Sequence, residues 1–172
     1  MDTLLEELRQ ALESAVEGMS IEEMSWHPPE KWCAAEVLEH LYLTYTGTIK
    51  GFERVLEADK PLVARASMRQ RWRTFVVLHF SYLPEGRKAP KQTVPRGLPA
   101  EKVRSEVEMK IAAMDVIIAQ CETRFGSDKV LDHPILGPLT VAEWRKFHLI
   151  HGRHHVKQIL RLRQLAKDGL TR

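Results

Sequence analysis

Trp144-Arg145-Lys146-Phe147-His148-Leu149-Ile150-His151-Gly152-Arg153-His154-His155-Val156-Lys157-Gln158-Ile159 is the stretch on which both fold and site turn. Wound as a helix at about 100° per residue, it places His155 roughly 40° around the axis from His151. Trp144, Gln158 and Leu162 fall within about 20° of His151 on the same projection. The resulting face is apolar at both ends and polar in the middle. Imidazoles buried in a helical core cost free energy unless they find partners. A divalent metal is one such partner, and His-x3-His on a helix offers both rings to one ion.

The segments around this stretch read as helices joined by turns. Thr140-Val141-Ala142-Glu143 is a capping box that launches the histidine helix, which fades in the basic tail, residues 167–172. Ahead of it, residues 132–139 form a turn-rich connector with Pro134, Gly137 and Pro138. Val103, Val107, Ile111, Met114, Ile118 and Cys121 step by 4, 4, 3, 4 and 3, a core stripe, with Pro99 in the first turn and Gly126 as C-cap. Residues 64–82 read as a further helix, with Met68, Trp72, Phe75, Val76 and His79 on one side. Near the N-terminus, Thr3 to Glu6 reads as a capping box, and Leu5, Leu8, Leu12, Val16 and Met19 carry a first helix to about Gly18. Residues 24–32 are a connection, since tandem prolines stop a helix. The next helix starts near Cys33 or Ala34 and runs to about Ala58.

His40 lies in that last helix, with Val37, Thr44, Gly47 and Gly51 projecting within about 60° of it. Two glycines on one helix face cost about 1 kcal/mol each relative to alanine. Either another helix approaches closely there, or the missing side chains leave a pocket beside His40. The expected fold is all-α: four long helices plus a shorter one, one domain over residues 1–172, with no strand-like alternation. Short connections favour antiparallel neighbours in a bundle.

Bundles build metal sites from facing helices. The expected ligand set is therefore His40, His151 and His155. Three neutral imidazoles suit Zn²⁺, Ni²⁺ or Fe²⁺ and leave a position open for water, the mark of a catalytic site. His154, about 60° from His151 on the side away from His155, reads as a group behind the ligands or in the pocket wall. His148 lies about 60° the other way and is the reserve ligand. Gln158 would orient a ligand or a bound water, or else make a buried interhelical hydrogen bond. Trp144 would line the pocket. Glu143 reads as the partner of Thr140, with a base role the lesser alternative. His27, His79 and His133 read as hydrogen-bonding groups in loops or at helix ends. Cys33, at a helix start, reads as a small apolar cap-region residue rather than a thiol of lowered pKa.

Residues 83–97 hold three prolines and no hydrophobic period. They form a long loop carrying Arg87, Lys88, Lys91 and Arg96, either a solvated connection or a basic flap that meets an anionic substrate. Nucleic-acid binding through those four residues is the weaker reading, since the net charge of +3 is small. Two cysteines without CxxC spacing fit a reducing compartment, and the acidic N-terminus does not read as a signal peptide. No run approaches 18 apolar residues. These features predict a cytoplasmic protein that binds a small molecule and neither nucleic acid nor membrane.

Residues 32–41, WCAAEVLEHL, resemble the W…E-hydrophobic…H-L opening of the second helix in the DinB-like (DinB/YfiT) superfamily. Residues 151–159, HGRHHVKQI, resemble its H-x-x-H-H-x-x-Q-I signature. The order of segments is similar too, so the resemblance spans the chain. It implies an up-down-down-up four-helix bundle with a three-histidine metal site at His40, His151 and His155, and a homodimer. It also implies activities such as thiol-dependent transfer or isomerisation, with a low-molecular-weight thiol as cosubstrate, or metal-dependent hydrolysis. The expected function is a metal-dependent enzyme with Zn or Ni activating a thiol or water. The alternative is a non-enzymatic helical scaffold whose histidines are structural or hold an inert ion.

Overall fold

Thr140 and Glu143 cap one another as expected: Glu143 Oε2 accepts the Thr140 N–H at 2.8 Å, and Thr140 Oγ1 accepts the Glu143 N–H at 3.1 Å. They open the histidine helix, Val141–Leu170. The computed structural model of the chain describes residues 1–84, 86 and 88–170. Six α-helices are described: α1 (Thr3–Val16), α2 (Ile21–Ser25), α3 (Ala34–Ala58), α4 (Met68–Phe80), α5 (Ala100–Phe125) and α6 (Val141–Leu170). A 3-10 turn spans Lys91–Thr93. Two antiparallel strands, β1 (Lys129–His133) and β2 (Gly137–Thr140), lie between α5 and α6.

The protein is mostly helical, and four long helices share one core. The broadest contacts run between α3 and α5 and between α1 and α6, so the closest partners are not neighbours in the chain. The α5 stripe is buried throughout, from Val103 to Cys121. Arg145 on α6 is also buried, reaching Glu122 on α5 at 2.7 Å and Asp2 ahead of α1 at 3.7 Å. No described helix is long and apolar enough to cross a membrane.

Several expectations are corrected. The mostly helical structure accords with the all-α class, but where no strand was expected the connector after α5 forms a small β-hairpin, with Leu131 opposite Leu139 and His133 opposite Gly137. Leu62 extends its edge, donating its N–H to Val130 O at 2.9 Å. The N-cap of α1 is Asp2, not Thr3, because the Asp2 carboxylate accepts the Leu4 N–H at 2.9 Å. A short α2 with its own Ser20–Glu23 capping box occupies part of what reads as a connection. The fourth helix is shorter than residues 64–82, and its Met68–Trp72–Phe75–His79 side is turned outward while Val77 and Leu78 are buried. Thr74 fixes that orientation by donating to Leu136 O at 2.7 Å. Arg87 of the expected flap and Arg172 of the expected tail lie outside the described residues.

Two glycines mark where elements close on one another. A Cβ at Gly51 on α3 would meet Leu131 Cδ2 at 2.7 Å, so the hairpin, not a helix, is the close neighbour there. A Cβ at Gly152 on α6 would overlap Leu8 Cδ1 on α1. Gly47 has nothing within 4 Å and faces the cleft described below. The two readings of the glycine pair thus divide between its members: Gly51 is a packing site and Gly47 opens a pocket.

These positions generate a paired prediction. Gly→Ala in an open helix gains about 1 kcal/mol. At Gly152 that gain is outweighed by displacing Leu8, so Gly152→Ala is expected to destabilise the protein by about 1–3 kcal/mol. Gly47→Ala is expected to stabilise it by about 0.5–1 kcal/mol. Urea unfolding of the two variants beside the parent checks both signs.

Candidate metal centre and its cleft

His40 from α3 meets His151 and His155 from α6. The Nε2 atoms of His40 and His151 are 3.4 Å apart, and those of His151 and His155 are 3.1 Å apart. One nitrogen from each ring lies within 4.8 Å of the others. Two nitrogens bound tetrahedrally to zinc at 2.0–2.1 Å stand about 3.3 Å apart. The donor set and its spacing therefore fit a divalent ion.

For two of the rings the opposite edge shows which nitrogen carries the proton. His40 Nδ1 lies 2.8 Å from Thr93 O, a pure acceptor, so it donates there and its Nε2 is a bare lone pair when the ring is neutral. His155 Nδ1 lies 3.0 Å from Gln158 Oε1, which leaves its Nε2 bare in the same way. His151 stacks on Phe147 at 5.4 Å between ring centroids, and its Nδ1 is buried without a hydrogen-bond partner. Burial, joined by mutual repulsion, holds the rings neutral: His151 is pushed well below its usual range and His155 down to about 3. Burial lowers His40 as well.

Glu39, next to His40, was not singled out by the sequence reading, yet it builds this corner. Its buried carboxylate accepts three backbone N–H groups, from Arg96 at 2.7 Å and from Gly97 and Leu98 at 3.0 Å. The clamp pins the far end of the 83–97 loop against α3. The same loop supplies the Thr93 carbonyl to His40. Sequence gives little sign of this, because the acceptor is a lone carboxylate and the donors are backbone amides more than fifty residues away.

The other expected site residues divide. Gln158 contacts His155 directly. His154 packs edge-on against the His155 ring and lines the cleft. Trp144 also lines it, with its indole N–H donated to Leu131 O at 3.2 Å. His148 is not among the grouped nitrogens. It is fully buried between Trp144 and Tyr45, and neither of its ring nitrogens has a partner. His133 Nδ1 accepts the N–H groups of Ile135 and Leu136 at 3.1 Å, shaping the hairpin turn. Cys33 and Cys121 are buried free thiols, and burial raises both pKa values, Cys121 to about 11. Glu143 is engaged by Thr140 and by Lys129, at 3.1 Å, as a cap.

A cleft of about 1450 Å³ opens onto the three histidines. Its walls come from α3, α4, α6, the hairpin and the 83–97 loop, with Trp32, Trp72, Val76, Leu83 and Phe147 among the apolar lining. Trp32 sits beside His40, with ring centroids 5.5 Å apart. Lys88 and Arg96 of the loop reach the lining.

A mostly helical protein with a largely buried three-histidine cluster opening onto a cleft is thus defined. The chain belongs to the family described as "Protein of unknown function (DUF1569)", whose model matches residues 4–161. It is similar to the "Uncharacterized protein YuaE" of Bacillus subtilis (strain 168), with 26% identity over 178 residues covering 94% of this chain and 96% of the relative. No solved structure matches the chain significantly.

The site generates two predictions. Removing the Glu39 carboxylate leaves three amides unanswered, and Glu39→Ala is expected to cost about 2–4 kcal/mol. Faster hydrogen exchange at the amides of residues 96–98 would trace the loss to the clamp. The second concerns acid. Burial holds His148 at about 3 and His133 at about 4, against 6.5 for a free ring. Above that free value both rings are neutral in either state. Below it the unfolded chain takes up protons that the folded chain refuses, so stability falls as pH drops, by up to about 1.4 kcal/mol per pH unit for each ring. His148→Phe is expected to flatten that acid limb, measured by denaturant unfolding from neutral pH downward. An unchanged slope would mean His148 is not held neutral by burial.

Proposed function

We propose that the protein is a metal-dependent enzyme in which His40, His151 and His155 hold a divalent ion, Zn²⁺ or Ni²⁺. The observation that carries this reading is the convergence of three Nε2 atoms at 3.1 and 3.4 Å, with the two outer rings donating their other nitrogen to oxygen acceptors. When bound, such an ion supplies Lewis acidity and lowers the pKa of a water or thiol toward neutrality. The chain's own groups do the rest. Thr93 O and Gln158 Oε1 fix ring orientation and keep the lone pairs of His40 and His155 aimed at one point. Phe147 and Trp32 cover two of the rings and limit water around them.

The cleft is far larger than a water molecule requires, which favours an organic nucleophile or acceptor above the histidines. We read the reaction as transfer to or from a low-molecular-weight thiol, or hydrolysis if water takes that place. The DinB-like resemblance supports the same site, and with it an up-down-down-up four-helix bundle, a reading that accords with α3 against α5 and α1 against α6. Two buried free thiols accord with a cytoplasmic setting.

The test is metal content of untagged protein purified without added metal. About one ion per chain is expected, lost in His40→Ala, His151→Ala and His155→Ala and kept in His148→Phe. Chelation is expected to lower the melting temperature of the parent and leave that of His151→Ala unmoved. No bound metal, with no uptake of Zn²⁺ or Ni²⁺ on titration, overturns the reading.

A further inference from the structure

The cleft above the histidines is strongly basic, and most of its charge comes from helices rather than from the 83–97 loop. Lys50 and Arg54 on α3, Arg69 and Arg73 on α4, and Lys157 and Arg161 on α6 all line it. Each pair has i,i+4 spacing. Like charges at that spacing repel one another and weaken a helix. Three helices bear that cost at one place.

Little offsets it locally. Glu30 and Asp132 are the carboxylates among the described lining residues. Asp132 already accepts the Ala64 N–H at 2.9 Å. Glu53 and Glu57 border Lys50 and Arg54 in a separate shallow hollow, without pairing with them. Away from the cleft the pattern differs: Arg9 meets Glu6 and Glu13, Arg124 meets Asp59, Arg145 meets Glu122, and Arg153 meets Glu7. Among the described residues, Lys50, Arg54, Arg69, Lys157 and Arg161 have no carboxylate partner. Cations left unpaired around one recess set up a field that draws in an anion.

The recess also offers apolar surface. Trp72 is 66% exposed at the α4 wall, and Trp32 lies deeper, next to His40. We propose that the cleft binds a small organic anion with a flat apolar body, its charge held by the three cation pairs and its body on the two tryptophans. This rests on the proposed metal centre only for which end of the ligand reacts; the charge pattern stands without it. Cations on three walls of a recess suit a small anion better than a nucleic-acid backbone, which needs a continuous track.

The experiment compares 1-naphthyl phosphate with 1-naphthol by titration calorimetry, on the full protein as purified and after metal stripping. The probes share a ring system and differ in charge. The phosphate ester is expected to bind at least about tenfold more tightly than the alcohol, and less tightly as salt rises. Lys50→Gln/Arg54→Gln and Lys157→Gln/Arg161→Gln are each expected to weaken it about three- to tenfold, while Arg124→Gln, outside the cleft, leaves it unchanged. Equal affinity for the two probes, failure of the phosphate ester to bind, or indifference to both double variants overturns the proposal. Charge selectivity that disappears on stripping overturns it too, since an ion rather than the cations would then be the receptor. A single-stranded oligonucleotide that binds more tightly than the phosphate ester overturns the small-anion class. Protein that takes up neither Zn²⁺ nor Ni²⁺ yet keeps charge selectivity sinks the metal reading alone; metal-loaded protein blind to charge sinks this one alone.

Discussion

An imidazole taken out of water costs free energy unless its nitrogens are answered, and the site depends on how that cost is met. His40 is answered on one side by the Thr93 carbonyl, which exists at that point only because the 83–97 loop is held against α3. The holding group is Glu39, one residue before His40, with three amides on its carboxylate. Adjacent residues on α3 thus do complementary work: Glu39 fixes the loop, and the loop fixes the proton on His40. On the other side α6 must be seated deeply enough for His151 and His155 to reach His40. Leu8 packing against bare Gly152 permits that depth. A loop, a clamp and a helix contact all bear on the position of three nitrogen atoms.

The three histidines were legible in the sequence because helical periodicity is a local rule. His-x3-His survives any tertiary arrangement that buries the face, and a long helix with one histidine offers the third ring. The α5 stripe was legible for the same reason. The hairpin was not. Pro138 lies inside β2, where proline normally argues against a strand, and neither strand is long enough to show alternation. The α4 side with Trp72 and Phe75 has helical spacing but faces outward, since period shows that side chains share a face and not which neighbour covers it. The Glu39 clamp and the Thr93 carbonyl are contacts to backbone, which every residue carries, so no residue type announces them. The glycine pair shows the limit most sharply. Spacing identified both positions, but only the fold assigns Gly51 to Leu131 and Gly47 to open space.

The four histidines of α6 show how a facing helix decides what a side chain does. His148, His151 and His155 rise along one helix, and burial pushes all three well toward the neutral form. Their chemistry still diverges. His148 packs against the Tyr45 and Trp144 rings, neither of its nitrogens makes a hydrogen bond, and it serves as a flat core residue. One turn on, His151 and His155 look onto His40, five residues before Tyr45 on α3, and three Nε2 atoms come together. His154 packs beside His155 in the cleft wall. A neutral trio has at most one proton to share among its three facing nitrogens, because the outer two rings spend theirs on Thr93 and Gln158. Burial blocks the other escape, taking up protons from solvent. What remains is a set of lone pairs held together against their own repulsion, which a cation relieves better than a hydrogen bond can. Replace His40 by an apolar residue and His151 and His155 keep only each other and Gln158: a pair joined by one hydrogen bond, with no third nitrogen to face.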